Sequence, residues 1–195
     1  MAMLFVITNS ILCKEDFLTR IEKIASAKPN RIILREKHLS QADLLSLAIT
    51  CKKICDKYRV DFSVNSSIET ALAVGSDVHL PYQIFVDNIK KLGAFKTIGV
   101  SVHSVSEAKN AESLGASYLI AGHIFATDCK KGLAPRGREY LSDIVSSVKI
   151  PVLGIGGITK ERIPKVLETG ASGICVMSHF MTCDKPELEI KKFNI

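Results

Sequence analysis

The sequence predicts an α/β protein, a (β/α)8 barrel of the TIM-barrel type formed by a single domain over residues 1–195. Short runs rich in Val and Ile alternate with longer segments of helical period, and Gly, Ser or Asn marks each change. This alternation is typical of parallel βαβ units. The composition does not shift along the 195 residues, of which 47% are apolar, so a second domain is not expected.

The predicted strands are the eight short apolar runs of this alternation. They cover residues 4–8, 31–35, 61–64, 77–80, 97–102, 118–121, 152–155 and 173–177. An open, doubly wound sheet would show the same buried strands. We favour the barrel because polar residues follow every run, as they do around the active site of a barrel.

The intervening segments carry helix signals. Phe17, Ile21 and Ile24 form an apolar stripe, and Ser104 with Glu107 has the spacing of a capping box, whose side chains bind free backbone donors at a helix start. Glycines precede several strands, where a left-handed residue is expected to end a helix. These are Gly75, Gly93, Gly115 and Gly170.

The composition narrows the class of partner. The net charge is +6, but the basic residues are scattered and only 6% of residues are aromatic, which argues against nucleic acid and favours small anionic substrates. No apolar run approaches a membrane span and no basic segment precedes the first one, so we expect no membrane association and a cytoplasmic location. The six cysteines include no C-x-x-C pair, which favours reduced, mostly buried thiols.

The carboxyl ends of barrel strands carry the active site in this fold, so the residues that follow the predicted strands are the candidates for binding or catalysis. They include Arg35, Lys37, Asn65, His79, Ser101, His103, His123, Gly156, Gly157, Met177 and Ser178. Three histidines would suit a metal site, but few carboxylates accompany them, so no metal is predicted.

Two strand ends have the character of anion-binding turns. Gly156 and Gly157 follow the seventh strand, where a backbone without side chains approaches an anion closely. Further amides at Met177–His179 would open the helix after the eighth strand. Together they predict a phosphate clamp where barrels commonly bind phosphate. The alternative is that the two glycines only tighten the turn.

His123 follows the sixth predicted strand and Gly122, and it precedes a polar loop that contains Thr127 and Lys130. Imidazole has an ordinary pKa of about 6.5, so it suits a proton shuttle near neutrality. A hydrogen-bonded core histidine is the alternative. Lys130 and its neighbour Lys131 would bind an anion or simply be solvated, and residues 131–138 would form a lid or an ordinary mobile loop.

Five segments resemble the thiamine phosphate synthase superfamily, and most of all its thiazole tautomerases. They are ILREK at 33–37, GVSVHS at 99–104, GHIFATDCKKG at 122–132, GIGGI at 154–158 and VMS at 176–178. The resemblance runs from Leu4 to about Phe180. Synthases of this superfamily carry a proline where this chain has His123, whereas the tautomerases carry histidine.

The resemblance also implies a change in metal chemistry. The synthases bind Mg²⁺ through two aspartates, and the corresponding positions here are Ser66 and Ile84, while Cys129 replaces a threonine. Because Mg²⁺ requires hard oxygen ligands, displacement of pyrophosphate is expected to be impaired. Neither a metal nor another cofactor is therefore expected.

The activity that the resemblance implies is that of a thiazole tautomerase, an isomerase that aromatises a thiazole carboxylate phosphate by proton transfer. His123 would act first as base and then as acid. The substrate-binding residues would be Arg35, Lys37, Asn65, Ser101, Thr127, Lys130, Gly156, Gly157, Met177 and Ser178. The partner would be this small phosphorylated thiazole, and the resemblance suggests a homodimer.

Two other functions stay open. One is thiamine phosphate synthase activity, the Mg²⁺-dependent coupling of a pyrimidine pyrophosphate to a thiazole phosphate. The other is a catalytically silent binding or regulatory protein, because relatives of this family have been linked with control of secreted-enzyme production. Product formation would establish the first, and tight ligand binding without turnover would establish the second.

Overall fold

The strands of the computed structural model, which describes residues 2–130 and 132–193, close into an eight-stranded barrel in sequence order. They are β1 (Met3–Ile7), β2 (Arg31–Leu34), β3 (Asp61–Asn65), β4 (Asp77–Pro81), β5 (Ile98–Val102), β6 (Tyr118–Gly122), β7 (Val152–Ile155) and β8 (Gly173–Val176). Each end lies within one residue of its predicted position. The predicted (β/α)8 barrel is confirmed, and the open doubly wound sheet is excluded.

Helices alternate with these strands along the chain. Those of the described residues are α1 (Phe17–Ser26), α2 (Gln41–Tyr58), α3 (Ile68–Val74), α4 (Tyr82–Asp87), α5 (Val105–Ser113), α6 (Gly137–Ser147), α7 (Ile163–Leu167), α8 (Ser178–Thr182) and α9 (Pro186–Lys192). The predicted capping box at α5 is confirmed: Ser104 accepts from the Glu107 N–H at 3.1 Å, and the Glu107 carboxylate accepts from the His103 N–H at 2.7 Å.

The chain divides into two compact units. The first unit comprises Leu4–His79 and Val176–Ile195, and the second unit comprises Met1–Met3 and Leu80–Cys175. In the first unit, Val6, Ile32 and Val64 are fully buried on parallel strands β1 to β3. Ile21 and Ile24 bury the apolar stripe predicted for α1.

The amino ends of strands in the first unit are joined by Arg31, whose side chain is buried at the start of β2. It donates to the Ser63 hydroxyl at 2.6 Å, to Asp77 at 2.7 Å and to Asp61 at 3.1 Å. A buried guanidinium is tolerated because these acceptors replace its water. These contacts link β2, β3 and β4 at their amino ends, which leaves the carboxyl ends for other groups.

The second unit has its own core. Val100, Leu119 and Leu153 are fully buried on the parallel strands β5 to β7, and Leu141 on α6 is fully buried beside them. Gly173 opens β8 where the backbone of Met3 passes so closely that a Cβ atom would collide with it.

Two smaller predictions need correction. Gly75, Gly115 and Gly170 have positive φ as predicted, but Gly93 does not, because the chain there continues in a 3-10 helix, Ile89–Ala94. The thiols are less buried than expected. Cys51, Cys55 and Cys175 are buried, Cys13 and Cys183 are half-buried, and Cys129 is exposed. Along the described residues, no helix has both the length and the apolar composition needed to span a bilayer.

Candidate functional site

The turn after β7 is formed by two successive glycines, Gly156 with φ of +102° and Gly157 with φ of +63°. A Cβ at Gly156 would collide with the backbone and Cβ of His123, and one at Gly157 would collide with the carbonyl oxygen of Ala126. Close packing and positive φ therefore both require glycine here. Successive backbone N–H groups in such a turn form the kind of concave surface that binds anions.

Arg162 holds this turn. Its Nη1 donates a hydrogen bond of 2.6 Å to the carbonyl oxygen of Gly157, and its guanidinium lies 4.9 Å from the ring centroid of Phe125. Arg162 is not among the site residues predicted from the sequence. Its position five residues after Gly157 was the available signal, but an arginine at a helix start is common in solvated segments as well.

His123 lies at the end of β6, next to the glycine turn. The backbone after His123 continues the pairing with β7. The Ile124 N–H donates to the Ile155 carbonyl at 2.9 Å, and the Phe125 N–H donates to the Gly156 carbonyl at 3.0 Å. The half-buried imidazole points to the following loop, where its Nε2 lies 3.3 Å from the carbonyl oxygen of Leu133. A carbonyl only accepts, so Nε2 carries the proton in this contact.

The loop after His123 is closed by main-chain hydrogen bonds. The Arg136 N–H donates to the His123 carbonyl at 3.0 Å, and the Lys130 N–H donates to the Thr127 carbonyl at 3.0 Å. The loop lines a pocket of about 340 Å³ that opens to solvent. Its lining residues are Ala126, Thr127, Asp128, Lys130, Gly132 and Leu133. Two predicted binding residues, Thr127 and Lys130, thus lie together, whereas Lys131 lies outside the described residues.

Arg136 also connects this loop to β5. Its Nη1 donates to the His103 carbonyl at 3.0 Å, and its guanidinium lies 5.1 Å from the ring centroid of Tyr140. The Tyr140 hydroxyl donates to the Val102 carbonyl at 3.1 Å, and burial raises the pKa of Tyr140 to about 12. Ser101, a predicted binding residue, is half-buried on the same strand.

The first unit holds the predicted residues Arg35 and Lys37, which flank a buried carboxylate. Glu36 accepts hydrogen bonds from the Thr8 hydroxyl at 2.5 Å and from the Ser10 N–H and hydroxyl at 2.8 and 2.6 Å. Arg35 is half-buried and Lys37 is exposed. In the part of the chain that the structure describes, neither cation forms an ion pair. Glu36 was visible in the sequence as a polar residue after the second strand, but no role was predicted for it.

Asn65 and Ser66 form the turn after β3. The Asn65 amide donates to the Ser66 hydroxyl at 2.6 Å, and the Ser66 N–H donates to the His79 carbonyl at 2.9 Å. Ser66 has φ of +65°. His79 is buried, and burial, followed by the charge of Arg31, lowers the pKa of its imidazole to about 3. His79 is therefore a neutral residue of the interior.

The remaining predicted residues, Met177 and Ser178, start the short helix α8. Met177 is half-buried at the N-cap position and Ser178 is exposed. The Ser178 carbonyl accepts from the Thr182 hydroxyl at 3.0 Å, within the helix.

The residues present do not fit the magnesium site of the synthases. Ser66 offers a hydroxyl that already accepts from Asn65, and Ile84 on α4 offers no ligand atom. Among the described residues, no group of three or more His, Cys, Asp or Glu side chains is placed to hold a metal ion. Mg²⁺ is normally bound through carboxylates, so these two positions do not supply its usual protein ligands.

The closed parallel barrel and the turns after its strands define the class of this protein, a (β/α)8 barrel with candidate anion-binding loops. The chain belongs to the family described as thiamine monophosphate synthase, whose family model matches residues 4–180.

Similar proteins support this membership over nearly the whole chain. A thiamine-phosphate synthase of Clostridium acetobutylicum is 40% identical over 187 residues, covering 93% of this chain and 88% of the relative. A thiamine-phosphate synthase of Methanobrevibacter smithii is 33% identical over 188 residues, covering 95% of this chain and 90% of the relative. The solved structure of a thiamine phosphate pyrophosphorylase from Pyrococcus furiosus has a TM-score of 0.84 and 31% identity, covering 98% of this chain and 93% of that one.

The prediction of a thiazole tautomerase, an isomerase, is wrong. The similar proteins are named as synthases, which transfer a group, and they are 33% to 40% identical across most of their length. The prediction gave the histidine at position 123 more weight than the rest of the chain. The hydrogen bond from its imidazole to the Leu133 carbonyl is a physical reason for histidine there that involves no proton transfer.

Proposed function

We propose that this protein is a thiamine-phosphate synthase, a transferase that joins a thiazole phosphate to a pyrimidine pyrophosphate. The thiazole nitrogen donates its electron pair to form a carbon–nitrogen bond. The bond from that carbon to the pyrophosphate oxygen breaks, and pyrophosphate leaves with the bonding electrons. Relatives named for this activity support the proposal over more than nine tenths of the chain.

The observation that carries the proposal is the glycine turn after β7. Gly156 and Gly157 both have positive φ, and Arg162 fixes the second of them by a bond of 2.6 Å to its carbonyl. A preformed backbone turn binds an anion without an ordering cost. We assign to this turn the phosphate of a substrate, with Thr127 and Lys130 on the neighbouring loop as further contacts.

Cations would balance the charge of the departing pyrophosphate. Arg35 and Lys37 have no carboxylate partner among the described residues. Guanidinium and ammonium groups stabilise charge that develops on phosphate oxygens. We therefore assign these two side chains to the pyrophosphate group.

The test is an assay of the full chain with both substrates, with and without Mg²⁺, in which thiamine phosphate is quantified by chromatography. Lys130→Ala is expected to lower kcat/KM about tenfold, since a hydrogen bond to a charged group contributes ~1.5–3 kcal/mol. Lys149→Ala, an exposed lysine of the same unit, should leave kcat/KM unchanged. Absence of product under every condition would refute the proposal.

A second candidate function is ligand binding without turnover, and one observation favours it. Ser66 and Ile84 occupy the positions where synthases are expected to carry carboxylates. Calorimetry with the thiazole phosphate distinguishes the two functions, because tight binding together with no product would favour the second.

A further inference from the structure

Glu36 is a buried carboxylate that the proposed chemistry does not use. Its side chain is completely buried, and three donors satisfy it: the Thr8 hydroxyl, the Ser10 N–H and the Ser10 hydroxyl. The half-exposed imidazole of His38 lies 3.9 Å away. A buried carboxylate loses its hydration and is unfavourable unless such bonds replace the water, so this arrangement is a specific one.

Glu36 lies in the chain between the two cations that are candidates for binding an anion. Arg35 precedes it and Lys37 follows it, both near the carboxyl end of β2. The Thr8 hydroxyl accepts from the Arg35 N–H at 3.0 Å and donates to Glu36 at 2.5 Å. One hydroxyl at the end of β1 therefore fixes both the backbone of Arg35 and the side chain of Glu36.

We propose that Glu36 is a positioning residue that presents Arg35 and Lys37 to an anionic substrate. Its buried carboxylate holds the backbone between the two cations in one conformation, so less freedom is lost when they bind. The identity of the anion, a pyrophosphate or phosphate group, rests on the proposed function. Glu36 acts through its neighbours and does not touch the ligand.

A merely structural role predicts a different result in a double-mutant cycle. The probe is inorganic pyrophosphate, and its Kd is measured by calorimetry for wild type, Glu36→Gln, Arg35→Ala and the double variant. Glu36→Gln should weaken binding about tenfold, and the loss in the double variant should be smaller than the sum of the two single losses, because Glu36 acts partly through Arg35 and residues that act through one another are not additive. Additive losses, or an unchanged Kd for Glu36→Gln, would overturn the proposal.

Two further comparisons separate positioning from folding. Glu22→Gln removes an exposed carboxylate of the same unit, which pairs with Lys57 at 2.6 Å, and should leave the Kd unchanged. If Glu36→Gln does not fold, Thr8→Val replaces it, because it removes the linking hydroxyl and keeps the shape. Thr8→Val should weaken binding and Thr8→Ser should restore it. Equal binding by the two Thr8 variants would also overturn the proposal.

The outcomes distinguish this inference from the proposed function. A wild type that binds pyrophosphate and releases no thiamine phosphate refutes the synthase assignment and leaves the role of Glu36 intact. If the wild type forms thiamine phosphate but its Glu36→Gln variant binds pyrophosphate normally, the synthase assignment stands and the role of Glu36 is refuted. A wild type that binds no pyrophosphate overturns the role of Glu36, and product formation alone then decides the synthase assignment.

Discussion

The guanidinium of Arg162 donates a hydrogen bond of 2.6 Å to the carbonyl oxygen of Gly157 and lies 4.9 Å from the ring centroid of Phe125. Gly157 itself has φ of +63° and packs against the carbonyl of Ala126. The turn is therefore held from two sides, by a cation on its own carbonyl and by the backbone of the segment after β6. Such a turn keeps its shape with or without a ligand, which is the property that preorganised anion sites require.

Removal of Arg162 should weaken anion binding. We expect Arg162→Ala to raise the Kd for inorganic phosphate about tenfold, because the turn loses the bond that preorganises it and must then be ordered when the anion binds. The Kd of Arg162→Lys should lie between those of the wild type and Arg162→Ala, since lysine keeps the charge but not the planar guanidinium. Calorimetry measures the Kd. Arg138→Ala, which removes an exposed ion pair with Glu168, is the matched control, and equal Kd values for all variants would contradict the role of Arg162.

Two glycines with the same φ separate backbone strain from close packing. Gly157 and Gly75 both have φ of +63°, but a Cβ at Gly75 would have open space, whereas one at Gly157 would collide with Ala126. Gly75→Ala should lower the free energy of unfolding by about 1–2 kcal/mol, the usual cost of a left-handed residue. Gly157→Ala should lower the free energy of unfolding by more than Gly75→Ala does, and it should also lower kcat/KM. Urea unfolding gives the comparison, and equal costs would show that the turn has room to move.

His123 is expected to support its loop and not to transfer a proton. Asparagine at this position is too short to reach the Leu133 carbonyl, so His123→Asn should lower the free energy of unfolding by about 0.5–1.5 kcal/mol. Limited proteolysis within residues 126–133 should become faster, while kcat stays within the same order of magnitude. His103→Asn, which replaces an exposed imidazole, is the control. A loss of kcat of roughly 10²-fold or more would instead indicate general acid–base catalysis by His123.

The buried histidine of the first unit should make stability depend on pH. The pKa of His79 is lowered to about 3, from an ordinary value of 6.5, mainly by burial. As the pH falls below 6.5, the unfolded chain binds a proton that the folded chain does not bind until the pH approaches 3. The free energy of unfolding should therefore fall by up to about 1.4 kcal/mol per pH unit in this window. Urea unfolding between these pH values, compared with His79→Asn, isolates the contribution, and identical slopes would contradict it.

The strands were predictable because each one is a short apolar run next to a helical segment of different period. The capping box of Ser104 and Glu107 was predictable because its interactions span only a few residues. Gly93 shows the limit of such local signals. A glycine before a strand usually ends a helix in the left-handed region, but this one lies inside a 3-10 helix that needs no positive φ.

The site was less predictable because its supporting contacts join residues far apart in the sequence. Glu36 is 28 residues from Thr8, and the residues around each of them give no sign that the two side chains will form a hydrogen bond. The role of Arg162 depends on a backbone carbonyl, which every residue has. His123 was assigned by its chemical type, its place after a strand and the family resemblance, and its contact with Leu133 became visible only in the folded loop.

Phosphorus NMR of one reaction mixture tests the synthase assignment most directly. The wild-type chain is incubated with the pyrimidine pyrophosphate and the thiazole phosphate, and the resonances of the products are integrated. We expect free pyrophosphate and thiamine phosphate to accumulate in equal amounts. Unchanged substrate resonances, in a sample in which both substrates are bound, would show that this chain holds the ligands of a synthase without joining them.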